Sequence, residues 1–379
     1  MRVNTRLALA AGMAVASQAF AQATFTPLGH LPDGDYSLAV HISPDGSAVS
    51  GLATDATGTV GFRWTSASGL SSLGDLAGGA VDTGTAAISG YGCVLAGSGY
   101  SANGLEAFRW TEDIGLVPLG DLPGGAFSSH IYAMSHDGSV MVGIGSDATD
   151  QRAVRWTRSG GWQVLDSYPG ETTSDAFGCS ADASVITGLT VGPAGTQAYR
   201  WTQADGKVLL GDVAGGAFNS GGADVSDDGS TIVGYASDGA GYVAMVWTAD
   251  TGMINAGFLA NDSAEAELWT VNGDGTVAVG YSGSQATIWT PQEGLRALQS
   301  VLESDHGLGG ALSGWSLASA NSVSSDGRVI VGWGYNPAGQ VEAWRVELPA
   351  PCPADFNADG SVNTIDVLAF LNAWNAGCP

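Results

Sequence analysis

The chain has 379 residues and a formal net charge of −25, with 12 basic residues against 37 acidic ones. Nucleic acids and anionic lipid surfaces are bound mainly through lysine and arginine, so this balance argues against both as partners. It is compatible with a solvated acidic surface and with binding of divalent cations.

Positions 1–21 have the order of a secretory signal peptide. Two arginines precede an apolar run from Leu7 to Ala16, and alanines at 19 and 21 supply the small residues of a cleavage site. The run is too short to span about 30 Å of hydrocarbon, and no later stretch is long enough to do so. We therefore expect cleavage after Ala21 and an exported chain, secreted or associated with the cell surface, without a transmembrane segment.

A tryptophan recurs along the rest of the chain at intervals of 42 to 55 residues, and in all but the last case threonine follows it. The seven positions are Trp64, Trp110, Trp156, Trp201, Trp247, Trp289 and Trp344. A period in the forties, with short apolar runs between glycines, is typical of a β-propeller.

Each repeat contains four short segments that are suited to strands. The first ends at a small polar residue, and in five repeats an Asp-Gly pair follows, which is a strong hairpin signal. These small polar residues are Ser43, Ser89, Ser135, Ser180, Ser226, Asn272 and Ser324. The second segment is rich in valine and isoleucine, the third contains the tryptophan, and the fourth often reads LGDL.

The number of fourth segments predicts how the ring closes. Seven first segments are present, but only six fourth segments follow a third one. The missing segment is FTPLGHL, from Phe25 to Leu31, which would pair with the stretch around Trp344 and leave no exposed sheet edge. We therefore predict an all-β fold over residues 22–349, a seven-bladed β-propeller of about 46-residue four-stranded repeats closed by an N-terminal strand. A small α calcium-loop module would follow at 350–379.

Three finer expectations follow from the repeat. The tryptophans should be core residues, and arginines beside them should pair with the aspartates of the LGD motif from blade to blade. The arginines are Arg63, Arg109, Arg155, Arg200 and Arg345, and the aspartates are Asp75, Asp121 and Asp212. Cys93 and Cys179 should be buried thiols, and the paired glycines at 78–79, 124–125 and 215–216 should be turns.

The recurring AFRWT, LGDLPGG and S-x-DG-S-x-VVG elements resemble those of the HAF-repeat family of extracellular proteins, over residues 25 to 348. This resemblance implies an exported repeat protein. It implies no catalytic residues.

Residues 355–366 read DFNADGSVNTID, with oxygen-bearing side chains at the spacing of a calcium loop. The predicted ligands are Asp355, Asn357, Asp359, Ser361 through its carbonyl, Asn363 through water, and Asp366. Gly360 allows the sharp bend of the loop, and VLAFLNAW predicts a short helix after it. In an oxidising compartment Cys352 and Cys378 should form a disulfide around this module.

This segment resembles a dockerin repeat, the calcium-binding module that tethers secreted proteins to a scaffold. CPADFNADG and the terminal Gly-Cys-Pro are similar to the dockerin-like tails of planctomycete-type exported proteins. The resemblance implies Ca²⁺ as a cofactor and a cell-surface or scaffold protein as a partner. A standard dockerin has two loops, whereas this chain has one.

No motif of nucleophilic, phosphate-binding or zinc-dependent catalysis occurs in the sequence, so no catalytic residue is assigned. Two stretches that interrupt the repeat are candidates for a ligand site with paired carboxylates. They contain Asp262, Glu265 and Glu267, and Glu303, Asp305 and Trp315. Carboxylates near an aromatic ring suit polysaccharide binding or glycoside hydrolysis.

Two functional hypotheses remain. The first is an exported, non-catalytic interaction or scaffold protein, with a propeller that presents a binding surface and a calcium-dependent C-terminal anchor. The alternative is an extracellular carbohydrate-active enzyme resembling a glycoside hydrolase. A hydrolase would hold two non-repeated carboxylates about 5–10 Å apart in one cleft.

Overall fold

The computed structural model describes residues 22–260 and 265–350, together with positions 364, 365, 367, 368 and 371. The chain divides into two compact bodies, of which Ala23–Leu348 is the larger; the other comprises Met1–Gln22 and Pro349–Pro379.

The first strand of the large body closes the sheet that contains the last. Strand β1 (Thr24–Gly29) runs antiparallel to β28 (Val341–Glu347), with Phe25 opposite Val346. The Phe25 ring packs edge-on against Trp315, with 5.1 Å between ring centroids. The predicted closure by an N-terminal strand is confirmed, and β28 is therefore not an exposed edge.

Antiparallel pairing arranges the strands of the described region in seven groups of four, here called blades 1 to 7; single parallel bridges at Thr59–Asp82 and Leu105–Ser128 join blades 1 to 3 into one sheet of 12 strands. The first strands of the blades are β2 (Ser37–Ile42), β6 (Gly78–Ile88), β10 (Gly124–Met134), β14 (Thr173–Cys179), β18 (Ser220–Val225), β22 (Ala266–Val271) and β26 (Ser316–Val323). The second strands are β3 (Ala48–Thr54), β7 (Val94–Ser101), β11 (Val140–Asp147), β15 (Val185–Gly192), β19 (Thr231–Ser237), β23 (Ala278–Ser282) and β27 (Val329–Tyr335). The third strands are β4 (Thr59–Thr65), β8 (Gly104–Thr111), β12 (Gln151–Thr157), β16 (Gly195–Thr202), β20 (Tyr242–Thr248), β24 (Gln285–Thr290) and β28. The fourth strands are β5 (Gly69–Ser72), β9 (Gly115–Pro118), β13 (Gly161–Val164), β17 (Gly206–Gly211), β21 (Gly252–Gly257), β25 (Gly294–Ala297) and, in blade 7, β1.

The small polar residue at the end of each first strand is explained by the turn that follows it. In blade 1 the Ser43 hydroxyl donates to Oδ1 of Asp45 at 2.6 Å and accepts the amide of Ala48 at 2.9 Å. Asn272 accepts the amide of Val277 in the same way through its side-chain oxygen, at 2.9 Å. The residue therefore satisfies backbone donors that the tight turn leaves unpaired.

A ring of backbone hydrogen bonds links the blades just after these polar residues. Each residue of the ring donates its amide to the carbonyl of its counterpart in the next blade, over 2.7 to 3.3 Å. The donor–acceptor pairs are Asp45–Gly90, Gly90–His136, His136–Ala181, Ala181–Asp227, Asp227–Gly273, Gly273–Ser325 and Ser325–Pro44. Pro44 has no amide proton, so Asp45 donates in its place. The ring returns to blade 1 and encircles the axis.

The core lies between neighbouring blades, and the third strands supply much of it. Trp344, Phe62 and Phe108 are fully buried. Of the repeated tryptophans, four are buried and the other three (Trp110, Trp156 and Trp247) are partly exposed. The tryptophan is a packing residue of the scaffold, as the alternation of the third strand predicts.

The predicted pairing of arginines with LGD aspartates is wrong. Nε of Arg63 donates to the carbonyl of Gly92 in the turn of blade 2, at 2.9 Å. Asp121 instead accepts the amides of Leu122 and Ser128, at 2.7 and 2.6 Å, and so stabilises its own loop. Arg63 therefore binds a turn carbonyl of the neighbouring blade, and Asp121 is engaged within its own loop.

Two smaller expectations also need correction. Cys93 is exposed, because it lies in the turn between β6 and β7; Cys179 is half-buried, and burial raises the pKa of its thiol.

The glycine pairs at 78–79 and 124–125 begin strands β6 and β10 and are not turns. At Gly79 a side chain would collide with the carbonyl oxygen of Tyr100, 2.2 Å from an ideal Cβ, so the glycine permits close strand approach.

The long last interval of the repeat holds the helices of the large body. Helix α1 (Leu298–Ser304) and the 3₁₀ turn Leu308–Gly310 precede β26. Leu298 and Leu302 are fully buried with Trp315 in the core of blade 7. In the smaller body, the five described positions between 364 and 371 are helical. No helix in the described part of the chain is both long and apolar enough to cross a membrane.

Candidate functional site

A cavity of about 730 Å³ lies on the axis of the large body and receives side chains from all seven blades. One repeat position, three residues before the polar turn residue, lines it in every blade. These residues are Val40, Ala86, Tyr132, Phe177, Ala223, Trp269 and Asn321. The first strand of each blade is therefore the innermost strand, and this position points to the axis.

Two further repeat positions complete the wall of this central cavity. The position five residues before the polar turn residue lines the cavity in four blades, through Leu38, Gly84, His130 and Glu267. The position nine residues after it, on the second strands, lines the cavity in five blades, through Leu52, Ser98, Leu189, Tyr235 and Trp333. Strand alternation places residues three and five positions before the turn on the same face of the first strand.

Aromatic side chains are concentrated on the side of the cavity formed by blades 3 to 7. The rings of Tyr132 and Phe177 meet edge to face, with centroids 5.1 Å apart. Trp269 is 37 % exposed and stacks on Tyr281, with centroids 5.5 Å apart and 24° between the ring planes. Blades 1 and 2 contribute aliphatic and small residues instead, apart from His41. An exposed tryptophan in a concave aromatic wall is typical of a ligand site.

Glu267 supplies a carboxyl group to this wall, two residues before Trp269 on β22. Burial, together with the nearby charge of Glu265, raises the pKa of Glu267 to about 8. The group is therefore mostly protonated at pH 7. Neither lysine nor arginine occurs among the described residues that line the cavity.

The two histidines of the cavity are uncharged at neutral pH. Burial lowers the pKa of His41 and of His130 to about 4. Nδ1 of His130 shares a hydrogen bond with the Ser98 hydroxyl, and the His130 ring lies 4.2 Å from that of Tyr132, centroid to centroid. These rings add polar atoms to the wall without adding charge.

A smaller polar cavity, of about 90 Å³, shares His41 and Thr270 with the central one. Nε2 of His136 lies 3.1 Å from Oδ1 of Asp227, and this hydrogen bond raises the pKa of His136. Burial raises the pKa of Asp224 to about 7, although its carboxylate accepts the Val271 amide at 3.1 Å. The described residues contain no group of three or more His, Cys, Asp or Glu side chains arranged to hold a metal ion.

The structure separates the residues that were predicted to form a carboxylate site. Glu267 faces the central cavity, and Glu265 is exposed, 3.4 Å from the Tyr281 hydroxyl that donates to it. Glu303, on helix α1, accepts a hydrogen bond from Gln299, and Asp305 is paired with Arg296 at 2.9 Å.

Trp315 is buried in the core of blade 7 and offers no free ring face. Asp262 and the calcium-loop and cysteine predictions fall outside the described residues. The latter are Asp355, Asn357, Asp359, Ser361, Asn363, Asp366, Cys352 and Cys378. The predicted signal peptide at 1–21 also falls outside them.

Most residues of the cavity lining were not predicted, although the sequence contains a signal for them. Three residues before the turn the seven repeats have Val, Ala, Tyr, Phe, Ala, Trp and Asn, whereas the turn residue itself is always Ser or Asn. The turn residue is nearly the same in every repeat because every blade needs its hydrogen bonds to form the turn. The axial positions vary because together they form one asymmetric surface.

No protein-family model and no curated protein sequence matches the chain. Among solved structures, an oligogalacturonate lyase from Vibrio parahaemolyticus matches with a TM-score of 0.55 and 11% identity, covering 86% of this chain and 93% of the lyase. An oligogalacturonate lyase in complex with manganese matches with a TM-score of 0.53 and 13% identity, covering 88% and 94%. TolB from Acinetobacter baumannii matches with a TM-score of 0.46 and 13% identity. That match covers 65% of this chain and 62% of TolB.

At these identities the likeness to the lyases is one of fold. Together with the strand pairing, it defines the chain as a β-propeller. The site that distinguishes this propeller is a central cavity with an aromatic wall and one carboxyl group among its described lining residues.

Proposed function

We propose that this protein is an exported, non-catalytic binding protein of the HAF-repeat type that holds a small, mainly apolar ligand in its central cavity. The observation that carries the proposal is the set of axial repeat positions. They vary from blade to blade and place Tyr132, Phe177, Tyr235, Trp269 and Trp333 around one cavity. A volume of about 730 Å³ lies in the range of small-molecule sites.

The alternative, a carbohydrate-active enzyme, has less support. Hydrolysis of a glycosidic bond needs two carboxyl groups on either side of the bond. Of the described candidates Glu265, Glu267, Glu303 and Asp305, only Glu267 lines the cavity. The oligogalacturonate lyases act on a polysaccharide fragment by name, but their similarity to this chain extends to the fold alone. A cavity with one carboxyl group among its described lining residues supports recognition rather than glycoside hydrolysis.

We further propose that residues 350–379 are a dockerin-like calcium module that anchors the propeller to a scaffold or to the cell surface. The spacing of Asp355, Asn357 and Asp359 in the sequence, with Gly360 after them, supports this. Ligand binding in the cavity and anchoring through the tail are separable functions in this proposal.

Binding in the cavity is tested with a neutral, environment-sensitive naphthalene dye and the full chain. We expect saturable fluorescence enhancement with one dye per chain, and a loss of affinity of about tenfold in Trp269→Ala, since removing one large aromatic contact costs about 1–2 kcal/mol. Tyr91→Ala, at a position 77 % exposed in the turn between β6 and β7, is the matched control and should bind as the parent does. Equal loss in both variants, or no saturable binding, would contradict the proposal.

A further inference from the structure

We infer that the ligand of the central cavity is an organic cation, an aryl or alkyl ammonium compound held between the Glu267 carboxylate and the aromatic wall. This inference rests on the proposed function, because it names the charge class of the ligand for the same cavity.

Glu267 lies among aromatic rings of the cavity wall. Glu267 and Trp269 are two residues apart on β22, so their side chains share the axial face of the strand. Both line the cavity, and Tyr235 of blade 5 lines it beside them. Tyr281 stacks behind Trp269 and holds its ring in place. A carboxylate next to electron-rich ring faces is the arrangement that binds an ammonium group, through charge pairing and cation–π attraction.

The other ionisable residues that line the cavity also favour a cation. The described lining residues contain no lysine or arginine, and burial keeps His41 and His130 neutral by lowering the pKa of each to about 4. The whole chain carries a formal charge of −25. Such a field raises the local concentration of cations and lowers that of anions in a concave, poorly solvated site. An anionic ligand would find an acidic group here and no counter-charge among the described lining residues.

The protonation of Glu267 in the absence of a ligand also favours a cation. With a pKa of about 8 it is mostly protonated at pH 7, because burial and Glu265 disfavour its charge. A bound cation would supply the missing counter-charge and lower this pKa, so binding should release a proton and strengthen with rising pH.

Several other titratable groups face Glu267. Glu265 precedes β22, and the Tyr281 hydroxyl donates to it at 3.4 Å. Burial and the Glu267 charge raise the pKa of Tyr235 and of Tyr281 to about 12. Blade 7 contributes the uncharged Asn321 and Trp333. Asp224, with a pKa of about 7, belongs to the smaller cavity, and its contribution persists when Glu267 is replaced.

The experiment compares phenyltrimethylammonium with tert-butylbenzene, its uncharged isostere, as competitors of the naphthalene dye on the full chain. At pH 9 we expect the cation to bind at least about tenfold more tightly than the isostere, which corresponds to one cation–carboxylate contact in a partly desolvated site. Between pH 9 and pH 6 the affinity for the cation should fall by about tenfold or more, while the affinity for the isostere stays constant.

Glu267→Gln should abolish both the preference for the cation and its pH dependence, and keep binding of the isostere. Glu265→Gln, the same substitution two residues away at an exposed position outside the cavity lining, should preserve the preference. Thermal unfolding of each variant confirms that it is folded. If the isostere competes as well as the cation, or if Glu267→Gln changes nothing, the inference is overturned while binding in the cavity stands. If the dye and both competitors fail to bind, the proposed function fails as well.

Discussion

The ammonium group of Lys207 lies 2.8 Å from Oε2 of Glu171, and both side chains are 1 % exposed. Lys207 is the one lysine of the chain. It also donates to the Ser174 hydroxyl at 2.8 Å, and Thr190 donates to Glu171 at 2.9 Å. Burial alone would raise the pKa of Glu171, but these donors hold it below its ordinary value. Blade 4 thus contains a buried ion pair whose partners are fully engaged.

Lys207→Met should destabilise the protein by up to about 3–5 kcal/mol, because it leaves the buried Glu171 carboxylate with only the more distant Arg152, 4.0 Å away, as a counter-charge. The double variant Lys207→Met with Glu171→Gln should recover most of this loss. Chemical denaturation at pH 7 measures both. A single variant as stable as the parent would show that Glu171 does not depend on Lys207.

Ala183 occupies a left-handed backbone conformation, with φ of 54°, at the place where other turns have glycine. Its counterparts Gly229 and Gly275 have φ of 74° and 76°. A Cβ at such an angle costs about 1 kcal/mol, so Ala183→Gly should raise the free energy of unfolding by up to about 1 kcal/mol, despite the greater freedom of glycine in the unfolded chain. Gly229→Ala is the reciprocal variant and should destabilise. Lower stability in Ala183→Gly would contradict the strain.

The pH dependence of stability should report the protonation of Glu267. Its pKa of about 8 in the folded protein exceeds the ordinary 4.5, so the native state keeps a proton that the unfolded chain releases. Glu267 therefore lowers stability progressively as pH rises from 4.5 through 8. At pH 9 Glu267→Gln should be more stable than the parent by about 2–4 kcal/mol, with little difference at pH 4. Unfolding followed by denaturant across this range is the measurement, and parallel curves for both proteins would contradict the prediction.

Calcium should bind the C-terminal segment through its predicted loop. Titration calorimetry of the full chain should give one site, and Asp359→Ala should abolish it, because the loop loses a charged ligand at its fifth position. Asp113→Ala, an exposed aspartate in the turn between β8 and β9, serves as the control and should leave the heat unchanged. A calcium site that survives Asp359→Ala would place the ion elsewhere.

Most of the fold could be predicted from the sequence because the same pattern of strand and turn residues recurs in each blade. The hydrogen bond by which Ser43 accepts the amide of Ala48 has a counterpart in every blade, so each repeat confirms the others. The closure by Phe25 followed from counting strands. The pairing of arginine with aspartate was not accessible, because the choice of Arg63 between Asp75 and the carbonyl of Gly92 depends on distances between blades.

The candidate site was less accessible for a related reason. Interruptions of the repeat pointed to Glu267 but equally to Glu303 and Asp305, which lie at the surface. Insertions mark loops, whereas the cavity is built from substitutions within the first strands, at the position where the register with the second strand shifts in every blade. Trp269 and Tyr132 can be identified as cavity-lining residues only from the structure, which shows that the first strand of each blade is the innermost one.

The most direct test of binding at the axial positions is photo-cross-linking with a diazirine-bearing phenylammonium probe, followed by peptide mapping. The account predicts adducts on peptides from the first and second strands that carry axial residues, above all β22 with Glu267 and Trp269, and competition by phenyltrimethylammonium. Adducts confined to third and fourth strands or to helix α1, or a pattern unaffected by the competitor, would contradict it.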